Sequence, residues 1–312
     1  MKSGFVVILG RPNVGKSTLL NSLVGSKVAI VTHRPQTTRD AIQGVVTRPE
    51  GQIVFVDSPG IHEPRRELGK HMMREVRRAA SGCHLVVVVV DAGAPSHRGD
   101  KAAMELARGL RVPALLVLNK IDLLKSKLPL LPHIERYREL ETFDEFVPLS
   151  ARRGENTDLL LKLIFERLPE APAFYDEDYI TDQPERFLAA ELIREQVIKQ
   201  TQQEVPHSIA VLIEKWVEKE TSARSPKRKS IPMLRLSATI YVERAGQKGI
   251  MIGAGGEKLK QIGTFAREQL EISFGRKVFL ELFIKVRPKW RDQPTFIQSL
   301  DFHRLLGSDD TG

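Results

Sequence analysis

Apolar and polar positions follow two periods through the first half of the chain. Short apolar runs read as strands at Phe5–Leu9, Ala41–Thr47, Gln52–Val56, Leu85–Val90, Ala114–Leu118 and Glu145–Leu149. Helical spacing falls between them. Thr18–Val24 stops at Gly25, and Arg66–Ala80 places Leu68, Met72, Val76 and Ala79 on one face; Asp100–Leu110, Pro132–Leu140 and Asn156–Arg167 follow. Pro49-Glu50-Gly51 reads as a hairpin turn, so one strand is expected antiparallel at a sheet edge. The alternation predicts an α/β fold with a doubly wound, mostly parallel, six-stranded sheet. Such sheets bind ligands beyond the carboxyl ends of their strands.

The pattern changes after residue 170. Residues 171–184 are rich in Pro and acidic side chains and read as a linker. A smaller α+β unit is then expected over 185–302, with a tail at 303–312 whose last residues look disordered. Its elements are a long helix at Glu185–Gln203, strands at Ser208–Glu220 and Met233–Arg244, a Gly-rich turn, a helix from Glu257 to Leu270 and a strand at Val278–Val286. The first domain accordingly spans 1–170.

Composition adds three constraints. The 312 residues suit about two domains. The net charge is +9, and residues 185–291 hold 21 Lys+Arg against 12 Asp+Glu, which favours a polyanionic partner. Charge alone does not choose between nucleic acid and an anionic membrane surface. The longest apolar run, Leu85–Val90, is far short of a membrane span, and no secretory pattern opens the chain. The single cysteine, Cys83, excludes an internal disulfide and fits a reducing compartment; beside a strand it reads as a packed thiol. A cytoplasmic protein is expected.

The chemistry sits at strand ends. Gly10-Arg11-Pro12-Asn13-Val14-Gly15-Lys16-Ser17, followed by Thr18, is G-x-x-x-x-G-K-S between a strand and a helix. Backbone N–H groups and the helix start converge on one anion there, and Lys16 adds a full charge. A nucleoside triphosphate is the expected ligand. Asp57-Ser58-Pro59-Gly60 ends the third strand. Its acid can hold Mg²⁺ through water, and Gly60 can offer its N–H to a γ-phosphate, which makes the following loop a switch. Asn119-Lys120-Ile121-Asp122 ends the fifth strand; a carboxylate at Asp122 can accept two hydrogen bonds from the N1 and N2 edge of guanine, a donor pair that adenine lacks. Ser150-Ala151-Arg152 ends the sixth, where a backbone N–H can meet guanine O6. His33, His62, His71, His84 and His97 are scattered and read as surface or packing residues.

These motifs together resemble the Ras-like translational GTPase class, and within it the Era family. Thr32-His33-Arg34-Pro35-Gln36-Thr37-Thr38-Arg39-Asp40 looks like that family's first switch, and Asp57-Ser58-Pro59-Gly60-Ile61-His62 like its second, with Ser58 where Thr is usual. The resemblance implies Mg²⁺ held by Ser17 and Thr37 or Thr38, with Thr38 favoured. Lys16, Thr38, Gly60 and Asn13 would be the catalytic set. Where Ras-type enzymes carry a water-positioning Gln this chain has Ile61, so slow intrinsic hydrolysis is expected. Asn13 stands where related GTPases hold a monovalent cation, and K⁺ activation is the resulting hypothesis.

In the second domain Gly253-Ala254-Gly255-Gly256 is G-x-x-G, flanked by Lys248, Lys258 and Lys260. Such a loop clamps about four nucleotides of backbone in KH domains. The context through Ile262-Gly263, Ala266-Arg267 and Val278–Val286 resembles the type II KH domain of the Era family, and Trp290-Arg291-Asp292 its closing signature. The departure is Ala254-Gly255 where a basic residue is common. Lys227-Arg228-Lys229 reads equally as a phosphate contact or a solvated charge run. The resemblance implies GTP and GDP as ligands, the 3′ region of small-subunit (16S) ribosomal RNA and the small ribosomal subunit as partners, and a role in that subunit's maturation. It also implies possible peripheral contact with the inner face of the membrane; a monomer without a DNA partner is expected. Two rivals remain: an ATP-using P-loop enzyme, and a C-terminal module that grips protein or an anionic membrane surface.

Overall fold

The computed structural model describes residues 1–94, 98–126, 128, 130–140, 143–201, 208–220 and 232–300. His97, the Lys227-Arg228-Lys229 loop and the tail at 303–312 lie outside them. The chain divides into two compact units, Met1–Asp182 and Gln183–Gly312.

The first unit alternates β1 (Lys2–Leu9), α1 (Lys16–Val24), β2 (Ile42–Arg48), β3 (Gly51–Asp57), α2 (Glu67–Ala80), β4 (Leu85–Asp91), α3 (Arg98–Leu110), β5 (Ala114–Asn119), α4 (Leu130–Leu140), β6 (Glu145–Pro148) and α5 (Thr157–Arg167). The sheet order is β2-β3-β1-β4-β5-β6. Only β2 runs antiparallel, at the edge, as the Pro-Glu-Gly turn predicts. The central strands are covered on both faces, which is why they read as unbroken apolar runs. Val6 to Leu9 and Leu85 to Val90 are fully buried. Cys83 packs among these residues, and burial raises its thiol pKa.

Residues 174–181, within the acidic, Pro-rich stretch, are held against β2 and β3. Val45 N donates to Ile180 O at 2.8 Å, and Thr181 Oγ1 to Gln43 O at 2.7 Å. Gln52, fully buried, accepts from the backbone N–H groups of Phe174 and Tyr175 and donates to Tyr175 O. The strap therefore rides on the hairpin that joins the two switch segments.

The second unit runs α6 (Glu185–Gln200), β7 (Ala210–Glu220), β8 (Pro232–Val242), α7 (Ala245–Ile252), α8 (Glu257–Phe274), β9 (Lys277–Val286) and α9 (Pro294–Ser299). Its sheet is ordered β7-β8-β9, the first pair antiparallel and the second parallel. Trp290 is fully buried, packs edge-on to Phe296 and donates its indole N–H to Ser208 O at 2.9 Å. Helix α9 is not among the expected elements, and two others differ from expectation. Helix α7 occupies what reads as a Gly-rich turn, because Gly246 and Gly249 lower helix propensity and hide the period. Helix α8 continues past Leu270 to Phe274 and ends at Gly275, whose left-handed φ of 62° closes it.

Candidate functional site

The loop between β1 and α1 turns through Asn13, at φ 65°, and Gly15, at φ 100°. A Cβ on Gly15 would stand 2.3 Å from Asn119 Nδ2, and one on Gly10 would stand 2.4 Å from Val89 O. Glycine at these positions lets the loop lie against neighbouring strand ends. Lys16 Nζ curls back to donate to Gly10 O at 3.1 Å and Arg11 O at 3.2 Å. Its burial lowers its pKa to about 8 despite the neighbouring Asp57.

Ser17, Thr38 and Asp57 arrive from α1, the first switch and the end of β3, and meet. Ser17 Oγ donates to Asp57 Oδ2 at 2.6 Å and lies 2.8 Å from Thr38 Oγ1. Burial pushes the Asp57 carboxyl up to about 6, against the pull of Lys16 and the hydroxyl contacts. Its second oxygen, Oδ1, is buried and has no hydrogen-bond partner among the described residues. Two hydroxyls and a dry carboxylate with a spare oxygen are the donor set of a Mg²⁺ site. Among the two candidate threonines, Thr38 makes this contact. Thr37 instead donates to Arg34 O at 2.7 Å.

Gly60 packs so closely on the loop that a Cβ would lie 2.8 Å from Pro12 Cα. Ser58 uses its hydroxyl on Ile8 O at 2.8 Å, tying the second switch to β1. Ile61 is buried in the apolar cluster beside β1 and β4, so its side chain has no means of orienting water. Asn13 Nδ2 donates to His33 O at 3.0 Å, joining the phosphate loop to the first switch. A cavity of about 50 Å³ lies between them, lined by Asn13, Lys16, Ser17, Thr18, Thr38 and Gly60 with Ile30, Val31, Thr32 and Gln36.

The remaining motifs form one hydrogen-bonded frame. Asn119 Nδ2 donates to Val14 O at 2.9 Å, and its Oδ1 accepts from Ala151 N at 3.0 Å. Lys120 Nζ reaches Asn13 O at 2.6 Å and Asp91 Oδ2 at 2.7 Å. Ser150 Oγ donates to Asp122 Oδ1 at 2.7 Å. Arg152 is exposed. The frame thus brings the ends of β1, β5 and β6 to one place. Sequence reading missed Asp91, a lone acid at a strand end with no motif around it. It also missed Asn21, which holds the approach to the first switch by accepting from Val28 N and Ala29 N and donating to Ala29 O.

In the second unit the predicted loop is a chain of left-handed glycines, Gly253, Gly255 and Gly256 at φ 72°, 58° and 83°. A Cβ on Gly253 would meet Lys258 Cβ at 2.7 Å. Lys248 on α7 and Lys258 and Lys260 on α8 flank the loop in the chain, and among the described residues none of them is ion-paired. Beside it a groove of about 430 Å³ runs between α8 and β9, with Lys260 and Arg267 on its rim and Leu259, Leu280 and Leu282 on its walls. No sequence motif marks the groove, because its lining comes from a helix and a strand apart in the chain.

Comparison with known proteins agrees with this geometry. Residues 5–120 match the family described as 50S ribosome-binding GTPase, and residues 204–291 match the KH domain family. GTPase Era of Staphylococcus haemolyticus is 44% identical over 301 residues, 96% of this chain and 97% of the relative. A crystal structure of an Aquifex aeolicus Era variant bound to GDP·AlF4⁻ superposes with TM-score 0.90 at 39% identity, covering 97% of this chain and 99% of that one. A crystal structure of Era with MgGDPNP and nucleotides 1506–1542 of 16S ribosomal RNA gives TM-score 0.88 at 39% identity, with the same coverage. Fold, site and comparisons define a P-loop GTPase joined to a KH domain. Within that class, the chain belongs to the Era family of GTPases.

Proposed function

We propose that this protein binds GTP with Mg²⁺, hydrolyses it slowly to GDP, and grips the 3′ region of small-subunit ribosomal RNA with its KH domain during maturation of the small ribosomal subunit. The observation that carries the nucleotide reading is the meeting of Ser17, Thr38 and Asp57 beside Lys16. Mg²⁺ would be held by the two hydroxyls and, through water, by Asp57, where it would neutralise phosphate charge. Lys16, now on two backbone carbonyls, would exchange them for phosphate oxygens. Thr38 and Gly60 would report the γ-phosphate, and the loop N–H groups of residues 10–18 would cradle the rest. Asp122, oriented by Ser150, would accept from the guanine edge, and Ala151 N would lie towards O6.

The guanine assignment separates this reading from an ATP-using enzyme. Asp122→Asn is expected to weaken GDP binding roughly 100-fold and to admit xanthine nucleotides, since a charge-assisted bidentate contact is lost. Nucleotide competition measures it; unchanged GTP affinity would remove Asp122 as the base reader.

Two features support monovalent cation activation. Ile61 is packed away from the site, and Asn13 bridges the loop and first switch. Turnover is expected to be faster in K⁺ than in Na⁺ buffer. For the second domain, three left-handed glycines let a phosphate backbone approach, and the lysines around them supply charge in place of the basic residue that the loop lacks. Peripheral membrane contact rests on the family resemblance alone; no described helix is long and apolar enough to cross a membrane.

A further inference from the structure

We infer that Asp100, in the first turn of α3, is a positioning residue of the nucleotide site, acting through Arg11 and steadied by Tyr137. The inference rests on the guanine-nucleotide reading above. Arg11 lies in the phosphate loop, and its carbonyl is one of the two acceptors holding Lys16 Nζ. Its side chain runs the opposite way. Nε donates to Asp100 Oδ1 at 3.1 Å. The aliphatic part lies on Gly99, where a Cβ would stand 3.0 Å from Arg11 Cβ. Asp100 is 1% exposed, so its charge is out of water and is balanced by Arg11. Tyr137, on α4, is buried beside this carboxylate; its burial and the charge of Asp100 hold the phenol proton far above the usual range.

The result is a part-buried, charge-balanced connection from the loop to α3, with Tyr137 of α4 packed beside it. Breaking a buried ion pair from one side leaves an uncompensated charge, so the pair fixes both partners. Arg11 is thereby kept in one place, and with it the course of the loop whose N–H groups would cradle the phosphates. Neither Asp100 nor Tyr137 lines the phosphate pocket. The consequence is therefore for retention of nucleotide rather than for the hydrolytic step.

The test is release of N-methylanthraniloyl-GDP from the full-length protein by stopped flow, beside single-turnover GTP hydrolysis at saturating nucleotide. Asp100→Asn is expected to release roughly tenfold faster and Tyr137→Phe roughly threefold faster, with hydrolysis within about twofold of the parent. Arg11→Gln combined with Asp100→Asn should release no faster than the faster single variant, because both cut one link. Tyr137→Phe keeps the ring and removes only the hydroxyl, so it carries the test if Asp100→Asn does not fold. Failure of the parent protein to retain the analogue overturns the nucleotide reading itself. Retention by the parent, with a lowered melting temperature but unchanged release in the variants, overturns the positioning role alone. Additive acceleration in the double variant overturns it as well.

Discussion

The two candidate phosphate sites are built in opposite ways. In the first unit nearly every polar side chain is spoken for before any ligand arrives. Asn119 bridges Val14 and Ala151, Lys120 bridges Asn13 and Asp91, and Ser150 aims Asp122. In the second unit the loop supplies space and backbone, and its lysines stand without ion-pair partners among the described residues. The first arrangement suits one small ligand of fixed shape, since preorganised donors need no rearrangement on binding. The second suits a polymer, which brings many similar phosphates and can be held by summed, screened charge. One consequence is that damage should be concentrated in the first unit and graded in the second.

The largest effect is expected at Lys16. Lys16→Ala should lower single-turnover GTP hydrolysis on the order of 1,000-fold, because a buried cation aimed at the phosphates is lost from a water-poor site. A loss under tenfold would show that the loop N–H groups suffice and would blur the contrast. The KH loop comes next. Gly253→Asp and Gly256→Asp each put a carboxylate and a strained backbone where a phosphate would pass, and RNA binding by filter retention should fall roughly tenfold or more. The smallest effects belong to the flanking cations. Lys258→Ala and Lys260→Ala should each weaken RNA only a few-fold and reduce the slope of affinity against salt by about 1. A single lysine that removed most of the binding would mean that the second site is as preorganised as the first.

The same contrast governs what can be read from the chain. The first unit's strands and four motifs are legible because each motif is contiguous and follows a saturated apolar run; Leu85 to Val90 and Leu115 to Leu118 leave no other reading. The resemblance favours Thr38 over Thr37, but the residues alone do not separate two hydroxyls of one loop; the contact of Thr38 with Ser17 and of Thr37 with Arg34 O does so in the fold. Asp91 and Asp100 were illegible because isolated acids at element ends carry no pattern, and their partners lie 29 and 89 residues away. In the second unit the G-x-x-G loop was visible, but helix α7 before it was masked by its own glycines. The groove beside it depends on a helix–strand pairing that no local spacing encodes. The strap at 174–181 reads as a linker by composition, yet Gln52 fixes it through buried hydrogen bonds that a lone glutamine does not announce.

That strap gives the comparison its mechanical sense. The chain leaving the first unit is tied to β2 and β3, the hairpin whose ends carry Thr38 and Asp57. Nucleotide state and RNA grip are therefore expected to be linked, and any such linkage must be reciprocal. The decisive measurement is calorimetric titration of a 3′-terminal 16S ribosomal RNA oligonucleotide into the protein loaded with GDP or with a non-hydrolysable GTP analogue. The account predicts affinities differing at least about fivefold, the lower end of typical coupling between sites. Equal affinity in the two states, with both nucleotides bound, would contradict it.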